Sequence, residues 1–124
     1  MPVLVAVRDL LFRSKIQAAA DRLGVSLRLA PRGAPLADAA RALGEGTILA
    51  DLGEPGMLEA LREAKAAAAV RVVGFLGHLQ TDLARAAAEA GVDEVLSRGE
   101  VVQRLDELLV AAAATGPGAS EPGR

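Results

Sequence analysis

Two aspartates stand where apolar stretches of the sequence give way to turns. Asp51 ends the stretch ILAD and is followed by LGEPGM, while Asp9 comes two residues after the apolar stretch VLVAV. A carboxylate at such a position can act as a nucleophile, or it can bind Mg²⁺, which prefers hard oxygen ligands. Either chemistry depends on the elements that position the two aspartates and on the side chains beside them.

The composition excludes several kinds of site. The 124 residues include no cysteine, which rules out disulfides, thiolate metal sites and thiol catalysis. Phe12 and Phe75 are the only aromatic residues, so a stacking platform for bases or a flat cofactor is not expected. His78 is the only histidine, and we interpret it as a surface loop residue because no metal-binding partner lies near it in the sequence.

Charge and hydropathy limit the partners and the location. The net charge of −2 offers no basic patch for nucleic acid or for an anionic membrane surface. The first residues, MPVLVAV, lack the basic flank of a signal peptide, and no apolar run approaches the length of a membrane span. We therefore expect a cytoplasmic protein that binds neither nucleic acid nor membrane.

Short apolar runs rich in β-branched residues alternate with longer amphipathic segments along the chain. The pattern predicts strands at residues 3–7, 25–30, 47–51, 70–76 and 92–97. It predicts helices at residues 10–23, 36–43, 58–68, 81–90 and 101–114, with Leu11 among the buried positions of the first helix. Residues 1–114 are expected to form one domain, and residues 115–124 a flexible C-terminal tail.

Five β-α units with short connections predict an α/β fold with a parallel sheet between two helical layers. The natural arrangement is a flavodoxin-like three-layer sandwich of strand order 2-1-3-4-5 with five helices. In that order the winding reverses between the first and third strands, and the crevice outside their carboxyl ends is the usual functional site. Asp9 and Asp51 are both expected there.

Two segments resemble the receiver (CheY-like) domains of bacterial two-component response regulators. DLGEPGM, beginning at Asp51, matches the family pattern D-L-x-x-P-G-M after the third strand, and AEAGVD at 88–93 is similar to the run that leads into the fifth strand. With the order of elements, the resemblance covers essentially all of residues 1–114. It implies that Asp51 is equivalent to an aspartate that takes a phosphoryl group from a histidine kinase. The implied Mg²⁺ ligands are that aspartate, an acidic pair after the first strand, and a carbonyl that corresponds to Gly53.

The sequence departs from the family pattern at almost every other position of that site. The acidic pair appears as Arg8-Asp9, and Leu76 stands where receivers carry a Thr or Ser after the fourth strand. Val95 matches the position of the switch aromatic, and Arg98 matches the lysine that pairs with the phosphate.

The substitution of an acid by Arg8 bears directly on the metal. A cation ~5 Å from a Mg²⁺ site repels the metal by ~7 kcal/mol at an effective dielectric constant near ~20. We therefore expect the Arg8 guanidinium to lie where the metal would lie, paired with Asp51 or Asp9.

These departures favour a pseudo-receiver, a stand-alone signalling and interaction module that is not an enzyme and needs no cofactor. One alternative is a functional receiver that is phosphorylated on Asp51 and holds Mg²⁺ with Asp9 and Asp51. A second alternative is a flavodoxin-like domain that binds a small ligand in the crevice.

The fourth and fifth predicted helices carry more apolar residues than one sheet-facing stripe needs. Val102 and Leu109 lie beside the core stripe of the fifth helix, and Ala84 and Ala88 lie beside that of the fourth. Receivers commonly pair through this face, so we predict that it contacts a protein partner or a second copy of the chain. A wide core stripe is the alternative explanation.

Overall fold

The computed structural model describes residues 2–31, 33–77 and 80–114 of the chain. The lone histidine, His78, and the predicted tail at 115–124 lie outside the described residues.

Five parallel strands form the central sheet. They are β1 (Val3–Ala6), β2 (Leu27–Leu29), β3 (Glu45–Asp51), β4 (Ala69–Leu76) and β5 (Glu94–Ser97). Their order is β2-β1-β3-β4-β5, and every neighbouring pair is parallel. The predicted α/β fold and strand order are confirmed, and the carboxyl ends of β1 and β3 adjoin at one edge of the sheet.

Six helices, rather than the five predicted, cover the sheet in the described part of the chain. They are α1 (Leu10–Leu23), α2 (Leu36–Leu43), α3 (Met57–Ala67), α4 (Thr81–Glu89), α5 (Arg98–Gln103) and α6 (Leu105–Ala114). The single helix predicted at 101–114 is wrong because the backbone leaves the helical conformation at Arg104, where φ is −109° and ψ is 17°. The first of the two helices begins earlier than predicted because Ser97 caps it.

Each face of the sheet carries its own apolar core, because successive side chains of a strand point to opposite faces. In β4, Val73 and Phe75 join the cluster that includes residues of α1 and α6, whereas Val72 and Leu76 join the cluster that includes residues of α2, α3 and α4. Helix α1 buries Phe12, Ile16, Ala19 and Ala20. Leu11 was expected on that face but is 80% exposed. None of the helices in the described residues has the length and apolar character that a bilayer span requires.

Leu52 fixes the end of β3 against the neighbouring strand. Its side chain, directly after Asp51, is 3% exposed and lies over the backbone of Gly74 in β4. A Cβ atom on Gly74 would approach the Leu52 Cδ2 atom to 2.5 Å. The backbone position of Asp51 therefore depends on a glycine in the adjacent strand.

Substitution of this glycine tests that dependence. We expect Gly74→Ala to lower the free energy of unfolding by ~2 kcal/mol, because the added methyl group overpacks a full core. Gly77→Ala is the matched control, since an added Cβ there meets no atom within 4 Å. Urea denaturation of both variants measures the difference. Equal midpoints for the two variants would show that Leu52 does not hold β3 in this way.

Candidate functional site

Asp9, Asp51 and Arg98 meet at the carboxyl edge of the sheet. Asp9 immediately precedes α1, Asp51 is the last residue of β3, and Arg98 is the first residue of α5. The Arg98 Nη1 atom lies 3.5 Å from Asp9 Oδ2, and its Nη2 atom lies 3.8 Å from Asp51 Oδ2. One guanidinium group thus faces both carboxylates, and the Asp51 side chain is only 18% exposed.

The remaining oxygen of each aspartate is bound to nearby backbone. Asp9 Oδ1 accepts hydrogen bonds from the N–H groups of Leu11 and Phe12, at 3.0 and 3.1 Å, and so caps the N-terminus of α1. Asp51 Oδ1 accepts a hydrogen bond of 2.9 Å from the Gly53 N–H in the turn after β3. Both carboxylates therefore have a local structural role in addition to the contact with Arg98.

The guanidinium of Arg98 also rests on the two aromatic rings of the protein. Its Cζ atom lies 4.7 Å from the ring centroid of Phe12 and 5.4 Å from that of Phe75. The two rings meet edge to face, with centroids 5.0 Å apart and an interplanar angle of 71°. A cation over the faces of aromatic rings is attracted by their quadrupoles, and the low polarity beneath it strengthens its ion pairs.

A capping box at the start of α5 holds the backbone of Arg98. The Ser97 Oγ atom accepts a hydrogen bond of 3.1 Å from the Glu100 N–H, and Glu100 Oε1 accepts one of 2.8 Å from the Ser97 N–H. The pKa of the Glu100 carboxyl group is lowered, first by the hydrogen bond from the Ser97 backbone N–H and then by hydrogen bonding with the Ser97 side chain. Because the pKa is lowered by folding, this stabilisation is present above the ordinary glutamate range and is lost as the pH falls through the folded-state pKa.

Arg8 does not occupy the position that the sequence predicted for it. Its side chain is exposed, and its guanidinium forms no ion pair with any residue that the structure describes. Its backbone N–H donates a hydrogen bond of 3.0 Å to Glu54 Oε2. The cation that faces Asp9 and Asp51 is Arg98, because α5 begins beside both carboxylates and the phenylalanine rings lie under its side chain.

The other residues aligned with the receiver site offer little polar chemistry. Leu76 is 2% exposed and belongs to the core cluster that includes residues of α2, α3 and α4. Val95 is half-buried against that same core. Gly53 is exposed in the turn and donates its N–H to Asp51.

The residues of this cluster do not fit a Mg²⁺ ion in the arrangement that the structure shows. Within the described residues, no group of three or more His, Asp or Glu side chains is placed to hold a metal ion. The two carboxylates that are present already face a positive charge within 4 Å. A divalent ion between them would have to displace Arg98 from both the carboxylates and the aromatic rings.

The residues predicted for the interaction face divide between surface and core. Ala88 and Val102 are exposed, Val102 by 44%, and Ala84 is half-buried. Leu109 is 1% exposed and belongs to the core beneath α1 and α6, so its assignment to the interaction face does not agree with the structure. The break at Arg104 separates α6 from α5, and the core face of α6 includes Leu109 and Ala112.

No protein-family model and no curated protein matches the sequence. Solved structures do share the fold. A response regulator from Thermotoga maritima matches with a TM-score of 0.72 and 14% identity, over 92% of this chain and 98% of that chain. The receiver domain of the sensor histidine kinase PA1611 from Pseudomonas aeruginosa, with a magnesium ion coordinated in its active site cleft, matches with a TM-score of 0.69 and 21% identity. That match covers 89% of this chain and 97% of that chain.

A third similar structure contains a protein partner. It is the receiver domain of Saccharomyces cerevisiae Ssk1 bound to the histidine phosphotransfer protein Ypd1, with a TM-score of 0.73 and 16% identity over 91% of this chain and 88% of that chain. At these identities the likeness shows that the chain has the receiver fold.

Removal of the Arg98 guanidinium tests its structural role. We expect Arg98→Leu to lower the free energy of unfolding by ~1 kcal/mol, because two carboxylates lose their counter-ion and two rings lose a cation. Arg98→Lys should lose less, since it keeps the charge. Arg85→Leu, at an exposed position of α4, is the control for removal of a surface arginine. Urea denaturation measures all three, and an Arg98→Leu variant as stable as the wild type would contradict the role assigned to Arg98.

Proposed function

We propose that this chain is a receiver-like signalling module that acts by presenting a fixed surface to a protein partner or to a second copy of itself. In this proposal Asp51 is not phosphorylated by the Mg²⁺-dependent route, and the module has neither enzymatic activity nor a cofactor. The observation that carries the proposal is the contact of the Arg98 guanidinium with Asp9 and Asp51.

The physical argument begins with the charge of the reacting groups. A carboxylate attacks an anionic phosphoryl group only when a metal ion neutralises the charge between them. Arg98 supplies a positive charge at the position of the receiver lysine and pairs with both remaining carboxylates. Because Arg8 replaces one acid of the receiver pair, too little negative charge is left to balance both Arg98 and a divalent ion. Asp51 is then a structural acid that holds Arg98 and the Gly53 turn.

The side chains that would transmit a phosphorylation signal in the receivers that the chain resembles are also replaced. Leu76 offers no hydroxyl group to a phosphoryl oxygen, and it is fully packed. Val95 has no aromatic ring whose rotamer could change between two states. A phosphoryl group on Asp51 would therefore lack both the hydrogen-bond partner and the moving ring.

The similar structures support a signalling role at the level of the fold. The Ssk1 receiver domain binds a protein, Ypd1. The PA1611 receiver domain coordinates magnesium in its cleft, whereas here the carboxylates after β1 and β3 face a guanidinium. A module that retains the fold but lacks one acid of the metal site is suited to binding without phosphorylation.

Treatment of the full chain with acetyl phosphate and Mg²⁺ tests the proposal. We expect no gain of a phosphoryl group in the intact mass, because Arg8 replaces one acid of the metal site and Arg98 pairs with the two carboxylates that remain. The Asp51→Asn variant is the control for modification elsewhere in the chain. A mass gain in the wild type that is lost in Asp51→Asn would overturn the proposal and establish the alternative, a functional receiver phosphorylated on Asp51.

A variant that carries the charged residues of a receiver tests the proposal by a gain of metal binding. Arg8→Asp combined with Arg98→Lys introduces the acidic pair and the lysine of the receivers that the chain resembles. We expect this double variant to bind Mn²⁺, used as a paramagnetic substitute for Mg²⁺, with broadening of the Asp51 and Gly53 amide signals. The wild type should show no such broadening at the same Mn²⁺ concentration. Broadening of equal strength in both proteins would mean that Arg8 and Arg98 together do not exclude the metal.

The surface that we propose for self-association or partner binding includes Ala88 and Val102, both exposed near β5. We expect Val102→Glu to weaken self-association in sedimentation equilibrium, because a charge would be buried at the contact. Val110→Glu is the matched control, since Val110 is a comparably exposed valine, 52%, on the separate helix α6. A wild-type chain that stays monomeric at ~100 µM, or an equal effect of the two variants, would exclude this face as a contact between copies.

A further inference from the structure

A cavity of about 360 Å³ lies at the carboxyl edge of the sheet, near the ends of β1 and β2. Ala6 and Val7 at the end of β1, Leu36 of α2, and Met57 and Ala60 of α3 form its apolar walls. Asp9, Asp51 and Arg98 do not line it. The cavity lies beside the end of β1, between the turn after β2 and the start of α3, at the edge of the sheet where open α/β sheets bind ligands.

Among the residues that the structure describes, four charged side chains line this cavity. Arg8 and Arg13 contribute two positive charges, and Glu54 and Glu63 contribute two negative charges. Arg13 is half-buried, and neither arginine forms an ion pair with a residue in the described part of the chain. Glu54 uses its Oε2 atom to accept the Arg8 N–H, which fixes its carboxylate at the rim.

The balance of these charges restricts the ligand. A simple anion would be attracted by the two arginines but repelled by the two glutamates. A simple cation would be attracted by the glutamates but repelled by the arginines. A zwitterion can pair its carboxylate with a guanidinium and its ammonium with a glutamate. The uncharged walls are alanine, valine, leucine, methionine, proline and glycine, with no aromatic ring among the described residues, so they fit an aliphatic body rather than a flat one.

We propose that this cavity binds a small zwitterion with an aliphatic side chain, an α-amino acid of the size of leucine. Its carboxylate pairs with Arg8 and Arg13, its ammonium with Glu54 or Glu63, and its side chain packs on Leu36 and Met57. This function goes beyond the proposed interaction role and does not depend on it, because none of the Arg98 cluster takes part.

Titration of the full ¹⁵N-labelled chain with L-leucine tests the proposal. We expect saturable shifts of the amide signals of Val7, Arg8, Met57 and Ala60. Two matched probes each lack one charged group: 4-methylpentanoate lacks the ammonium, and 3-methylbutylamine lacks the carboxylate. Each should bind about tenfold more weakly or worse than L-leucine. Absence of saturable shifts up to ~10 mM L-leucine, or binding of either probe as strong as that of L-leucine, would overturn the proposal.

Two variants then place the ligand in the cavity. Arg13→Gln should weaken binding of L-leucine by about tenfold, while Arg85→Gln, which removes an exposed arginine on α4, should leave it unchanged. Ala60→Leu fills the cavity and should abolish binding, with a retained amide spectrum showing that the variant folds. Binding that is unaffected by Arg13→Gln or by a folded Ala60→Leu would place the ligand elsewhere and refute the assignment.

Discussion

One guanidinium group connects the parts of the molecule that meet at the carboxyl edge of the sheet. Arg98 brings the start of α5 to Asp9 before α1 and to Asp51 at the end of β3. Beneath it, the rings of Phe12 and Phe75 belong to α1 and β4. Four of the structural elements are thus joined by contacts of a single side chain, and the same contacts place a positive charge beside the carboxylates.

The fold could be predicted from the sequence because its signals are local and repeated. Five β-branched runs alternate with amphipathic segments, and short right-handed connections leave one natural strand order. The helix count could not be obtained in this way. The apolar pattern from Val101 to Ala112 continues across Arg104. The spacing of apolar residues therefore does not indicate that the backbone leaves the helical conformation there. The burial of Leu109 agrees instead with a wide core stripe, because Leu109 follows Leu105 by four residues and precedes Ala112 by three, which places it on their face of a helix.

The candidate site was predicted in part. The two aspartates were placed at the correct edge from the ends of their strands, and the presence of a cation beside them followed from the charges in the sequence. Arg8 was chosen because it is adjacent to Asp9 in the chain, whereas Arg98 reaches the aspartates through the fold. A long side chain can point in several directions, and the deciding factor was the pair of rings under Arg98. The position of Phe12, three residues after Asp9 on a predicted helix, was the available signal.

The short helix α5 places two features on one rigid element. Arg98 and Val102 are four residues apart, so they lie about one turn, or ~6 Å, from each other on a helix of only six residues. The capping box fixes this helix at its start and Arg104 ends it. A substitution that moves the helix at Arg98 therefore also moves Val102, and a substitution that moves it at Val102 also moves the guanidinium. Related sequences that exchange the cation at position 98 are therefore expected to change position 102 in concert, a pattern of paired variation that an alignment would reveal.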